Sequence, residues 1–186
     1  MRKLLTFLLT LFLSACATGP YPVTSPYYQI PLGSQVTLKQ ALTIPPNKAR
    51  VYFQYGKVIK EREKDKYYPH CWFLSWKSLD TAQTIKPDNF TVIKTQKYEN
   101  VVQLPTSYQL AGLYGTIGIG LGMNDDGGPT AVEFITQLTI HSDTQPDIRQ
   151  FACNHWDHPV NGEHLTVAEM QKALGEIVEI KLNTAP

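Results

Sequence analysis

Between residues 131 and 141 apolar and polar side chains alternate without a break. Val132, Phe134, Thr136, Leu138 and Ile140 fall on one face; Glu133, Ile135, Gln137, Thr139 and His141 fall on the other. Successive side chains of an extended chain point to opposite sides, so a period of two marks a half-buried antiparallel strand. The same rhythm over shorter stretches predicts strands at 36–40, 49–55, 91–97, 148–154 and 176–182, and a short one at 101–104. The segment 67–77, YYPHCWFLSWK, is different. Cys71, Phe73 and Ser75 form one face and Trp72, Leu74 and Trp76 the other, so both faces are largely apolar. That pattern predicts a central strand covered on both sides, with Pro69 confined to its start.

Between these runs lie breakers. Pro45-Pro46-Asn47-Lys48 and the stretch 85–90 read as turns, and 57–66, KVIKEREKDK, as a solvated hairpin loop. Residues 112–129 hold seven of the chain's twelve glycines. Glycine at this density weakens any regular element, so a mobile surface loop is expected there. The pattern switches to a helical period once. Thr166-Val167-Ala168-Glu169 is a capping box, Leu165 and Met170 form a hydrophobic staple, and Val167, Met170 and Leu174 make one apolar stripe before Gly175. The expected fold is therefore mainly β (α+β): an antiparallel β-sandwich or partly open barrel with one C-terminal helix.

The first sixteen residues, MRKLLTFLLTLFLSAC, follow another logic. Arg2 and Lys3 precede a ten-residue apolar run that ends at Leu13-Ser14-Ala15-Cys16. This is the layout of a secretory signal peptide, too short for a bilayer-spanning helix of ~20 residues. The Cys at its end resembles the lipobox of bacterial lipoproteins. The resemblance implies cleavage after residue 15, a diacylglyceryl thioether on Cys16 and acylation of the new N-terminus. Ala17 after the lipidated cysteine, by likeness to sorted lipoproteins, implies the outer membrane, with the domain facing the periplasm. The proline-rich stretch 17–33 then reads as a spacer, giving a signal peptide at 1–15, a lipidated tether at 16–33 and one β-rich domain at 34–186.

Processing also changes the charge and the cysteine count. Lys plus Arg falls from 17 to 15 against 16 acidic residues, so the mature chain is near neutral. Such a domain carries no footprint for nucleic acid and no polybasic membrane patch; anchoring falls to the lipid. Cys71 and Cys153 remain, and two thiols in an oxidising compartment are expected to pair. The chain-entropy model gives such a bridge roughly 4.5 kcal/mol as an upper figure.

Candidate chemistry is sparse. No serine lies in G-x-S-x-G or S-x-x-K, and a Cys71–His155 nucleophile would need a free thiolate. The glycines of 118–122 lead into Asn124-Asp125-Asp126, which repels phosphate, and have no P-loop lysine. His70, His155, His158 and His164 have the ligand chemistry of a zinc or copper site, but their spacing matches no common zinc motif. Trp156, with His155 and His158, is expected in a loop after 154, where recognition residues gather.

The stretches LTIPPNKARVYFQYG, YYPHCWFLSW and HLTVAEMQKALGEI resemble small proteobacterial lipoproteins of unknown function, a likeness that implies paired cysteines at these two places and no activity. The resulting expectation is a non-enzymatic, membrane-anchored structural or binding component of the envelope. It needs no cofactor beyond the lipid on Cys16, and its partner is an envelope protein or glycan. The alternative is a zinc- or copper-binding protein using His70, His155, His158 and His164.

Overall fold

The computed structural model describes residues 21–103 and 130–184. The expected signal peptide, Cys16 and the glycine-rich segment 112–129 lie outside the described residues. Among the described residues ten strands and one α-helix follow in chain order: β1 Gln35–Leu38, β2 Leu42–Ile44, β3 Arg50–Gln54, β4 Lys57–Ile59, β5 His70–Ser75, β6 Gln83–Ile85, β7 Asp88–Gln103, β8 Thr130–His141, β9 Ile148–Asp157, α1 Val167–Leu174 and β10 Val178–Lys181. Eight strands form one antiparallel sheet in the order β10-β1-β7-β8-β9-β5-β3-β4, and β2 pairs with β6 in a small second sheet. The large sheet curls into a half-barrel, so the fold is mainly β with one helix.

The helix and the small sheet fill the hollow. Val51, Phe53, Phe73, Phe90, Leu138 and Phe151 point inward from five strands and meet Met170, Ala173 and Leu174 of α1 and Leu42, Ile44 and Ile85 of the small sheet. Phe73 sits at the centre, 5.1 Å from Phe151, 5.5 Å from Phe90 and 6.0 Å from Phe53, centroid to centroid. The convex face carries a smaller cluster of Tyr52, Trp72, Ile135 and Ala152. Strand β5 is thus buried on both sides, as its two apolar faces require.

Capping gives α1 its start. Thr166 Oγ1 accepts the Glu169 N–H, and the Glu169 carboxylate accepts the Thr166 N–H at 2.8 Å. Leu165 and Met170 are both buried beneath it. At its end Gly175 has φ +60°, and a Cβ there would stand 2.6 Å from the Gly56 Cα. Gly56, at φ +72°, closes the β3–β4 turn with Tyr55 at φ +54°. Two successive positive φ values are what a two-residue hairpin demands. The turn places Lys57–Ile59 on β3 as a strand, where the charge-rich sequence reads as loop.

Three further expectations change. Strand β7 runs on through residues 101–103 of the separate strand expected at 101–104, with its register shifted between Val92 and Lys94; residue 104 lies outside the described residues. Strand β9 continues three residues past 154, so His155, Trp156 and Asp157 lie in a strand and not in a loop. Pairing with β8 (Phe134 opposite His155, Val132 opposite Asp157) outweighs the weak strand propensity of Asn, His and Asp. The spacer is also shorter than expected. Ile30 is buried in the core, its carbonyl accepts the Thr95 hydroxyl at 2.8 Å, and the Pro26 carbonyl accepts the Lys97 ammonium. Residues 26–30 therefore form a strap along the inner side of β7, and the globule begins before Ser34. No helix among the described residues is long and apolar enough to cross a membrane.

Candidate functional site

Cys71 and Cys153 stand directly opposite each other on β5 and β9, with Cα atoms 4.0 Å apart, and are joined in a disulfide. That spacing belongs to the close, non-hydrogen-bonded pairs of an antiparallel ladder. The bridge also fixes the parity of its neighbours. Because adjacent residues alternate in direction, His70 and Asn154 face the convex side, and His155 faces the concave side with Cys153.

The four histidines consequently separate. His70 is fully buried on the convex side, 6.2 Å from Trp72. Its Nδ1–H donates to the Tyr68 carbonyl at 3.0 Å, and Nε2 has no partner. Burial pushes its pKa down to about 4, so it is neutral near pH 7. His158 is exposed, and its Nδ1 accepts the Val160 N–H at 3.2 Å. His155 and His164 do converge. They flank Phe134, one stacked at 5.9 Å and the other edge-on at 5.5 Å.

Together they line a polar pocket of about 340 Å³ between β9, the loop leading to α1 and the strap, with Thr24, Pro26, Asp157 and Glu163. The Nδ1 atoms of both imidazoles are buried without a partner. The Nε2 of His155 lies 3.8 Å from the Asp157 carboxylate, and that of His164 lies 3.8 Å from Glu99. Burial lowers the pKa of His155 against the pull of Asp157. Burial, and then the Lys97 charge, push His164 down to about 4. Lys97, beneath the strap, is itself lowered to about 8 by burial. A neutral imidazole can accept a hydrogen bond or ligate a metal through a ring nitrogen, but here both unpartnered Nδ1 atoms are shut off from solvent. Among the described residues, however, no three His, Cys, Asp or Glu side chains stand together as a metal site.

Trp156 belongs elsewhere. It lies on the convex side, edge-on to Tyr67 at 5.9 Å, with the Lys66 ammonium 4.4 Å over its ring. Its N–H donates to the Lys66 carbonyl at 2.7 Å. The expected trio of Trp156, His155 and His158 is therefore distributed over two faces and a loop. A larger groove of about 1080 Å³ runs beside β3 and β4, past Pro45, Pro46, Val58 and Leu74. Its charges are largely paired, Lys48 with Glu61 and Lys60 with Glu63, and none of the buried unpartnered polar atoms lies on a residue that lines it. The histidine pocket is the more chemically equipped of the two. Sequence reasoning missed Lys97, the strap residue Pro26 and Thr24 just before the strap, which carry no motif.

No family model, no curated protein and no solved structure matches this chain.

Proposed function

We propose that this protein is a lipid-anchored binding component of the bacterial envelope, acylated on Cys16, held at the outer membrane and facing the periplasm. It presents the half-barrel to an envelope protein or glycan and catalyses no reaction. One observation supports this most. The segment that follows the lipobox-like sequence is built into the fold, through Ile30 in the core and through the Thr95 and Lys97 bonds to the strap. An anchor joined this way transmits its position to the whole domain. Growth with labelled palmitate tests the reading: label is expected in the native chain and absent from Cys16→Ser. A native chain without label would overturn it.

A second reading, zinc or copper binding, draws on His155 and His164 lining one pocket with Asp157 and Glu163. Calorimetric titration with Zn²⁺ and Cu²⁺ decides it. Stoichiometric binding lost in His155→Ala and His164→Ala, yet kept in His158→Ala, would favour it; no binding to the native protein removes it.

A further inference from the structure

The expected spacer was long enough to hold the domain off the membrane. The docked strap leaves far less chain. Five residue steps separate Cys16 from Tyr21, where the described chain begins. Five steps of extended chain span at most ~18 Å. Tyr21 therefore lies within that distance of any lipid carried on Cys16, and so does the surface around it.

That surface is apolar in the manner of an interface. Tyr21 and Tyr27 are each more than half exposed and pack on one another at 5.4 Å. Val23 is exposed next to Thr24, and Val160 is 79% exposed next to Asn161; Thr24 and Asn161 line the same pocket. Tyr21, Val23, Tyr27 and Val160 are thus exposed residues of the two segments that meet at this pocket, one of them the segment nearest Cys16 in the chain. Tyrosine rings, apolar in body and polar at the tip, favour the headgroup layer of a bilayer. The charges nearby are Asp157, Glu163, Glu169 and Glu99, all exposed, whereas Lys97 turns inward to the Pro26 carbonyl. An acidic rim is repelled by anionic lipid and tolerated by zwitterionic headgroups.

We propose that the Tyr21–Val23–Tyr27–Val160 surface rests on a zwitterionic bilayer, so that the histidine pocket opens at the headgroup layer. The proposal rests on the lipid-anchor reading above. It places the far end of the sheet away from the membrane. Asp143, just past β8, marks that end, with a side chain 98% exposed. The twelve residues of β8 put roughly 40 Å between the two ends.

The test uses the full chain, acylated in a bacterial host and reconstituted into phosphatidylcholine vesicles. Val160→Cys and Asp143→Cys variants are labelled with an environment-sensitive fluorophore under non-reducing conditions, which leave the buried Cys71–Cys153 bridge closed. Both sites are exposed, so neither substitution disturbs the fold. Lipid-borne nitroxide is expected to quench the label at 160 several-fold more than the label at 143. Replacing half the lipid with phosphatidylglycerol at low salt is expected to reduce that quenching, and an increase would overturn the zwitterionic assignment. A floated, acylated protein whose two labels are quenched alike overturns this proposal alone. Shielding of position 160 only after another envelope protein is added does the same, in favour of a protein partner. Absence of acyl mass and of co-flotation overturns the anchor reading, and this proposal with it.

Discussion

The concave face of the half-barrel is covered in two ways. Under α1 and the small sheet it presents Phe53, Phe73, Phe90 and Phe151, all fully buried against apolar partners. Under the strap and the loop before α1, β7, β8 and β9 present Lys97, Phe134, Thr136 and His155. There, Thr136 Oγ1, His155 Nδ1 and His164 Nδ1 have no partner. Each buried orphan costs ~1–3 kcal/mol, whereas each buried phenylalanine contributes about as much. The half under the helix stores stability; the half under the strap gives some of it up to keep polar groups available. The sheet is continuous through both, and only the covering element changes.

The sharpest way to break this contrast is at Phe73. Phe73→Ala should cost about 4 kcal/mol, because its neighbours on three strands leave no room to collapse. Urea unfolding measures it, and a loss below ~1 kcal/mol would mean that the two halves are equally loosely built. The bridge comes next. Cys71→Ala should cost roughly 2–4 kcal/mol, and the Cys71→Ala/Cys153→Ala double variant no more than either single. Additive losses would show that the pair does not act as a unit.

Acid should act on the strap half and, through His70, on the convex face, but not on the half under α1. Below pH 6.5 the unfolded chain protonates the His164 imidazole, but the native chain does not until about pH 4. Its contribution is therefore complete above 6.5 and declines by about 1.4 kcal/mol per pH unit between those values, or about 2 kcal/mol at pH 5. Buried His70 adds a loss in the same direction. Melting curves at pH 7 and pH 5 should converge by that amount in His164→Gln and keep their gap in Phe73→Ala. An unchanged gap in His164→Gln would remove His164 from the polar half. The smallest effect is at the border between the halves, where Thr166→Ala should cost about 1 kcal/mol through the lost cap. Unaltered melting would mean that packing alone starts α1.

The apolar half was readable residue by residue. Alternation at 131–141, the two faces of 71–76 and the capping box at 166–169 each rest on local periodicity or local hydrogen bonding, which a linear sequence displays. The Cys71–Cys153 pairing was expected from the thiol count and an expected oxidising compartment, and the two are joined. The polar half was not readable, because its members are joined only by the topology. Thr95 and Ile30 are 65 positions apart, and Lys97 and Pro26 71. His155 seemed to belong with Trp156 because they are neighbours, and neighbours in a strand face opposite ways. The charge-rich start of β4 was hidden for another reason: the left-handed Tyr55-Gly56 turn creates a strand that composition alone argues against.

Strand β1 is held between β7 on one side and β10 on the other. β10 follows every other element in the chain, and Gln171 of α1 fastens it by donating to the Val178 carbonyl and accepting the Ile180 N–H. A product truncated after Gly175 would leave the outer edge of β1 bare, with Val36 and Leu38 beside open backbone groups. Unpaired edges of this kind recruit strands from other molecules. A chain read through to Lys181 moves the sheet's edge from β1 to β10, where the Gln171 amide already occupies the Val178 carbonyl and the Ile180 N–H.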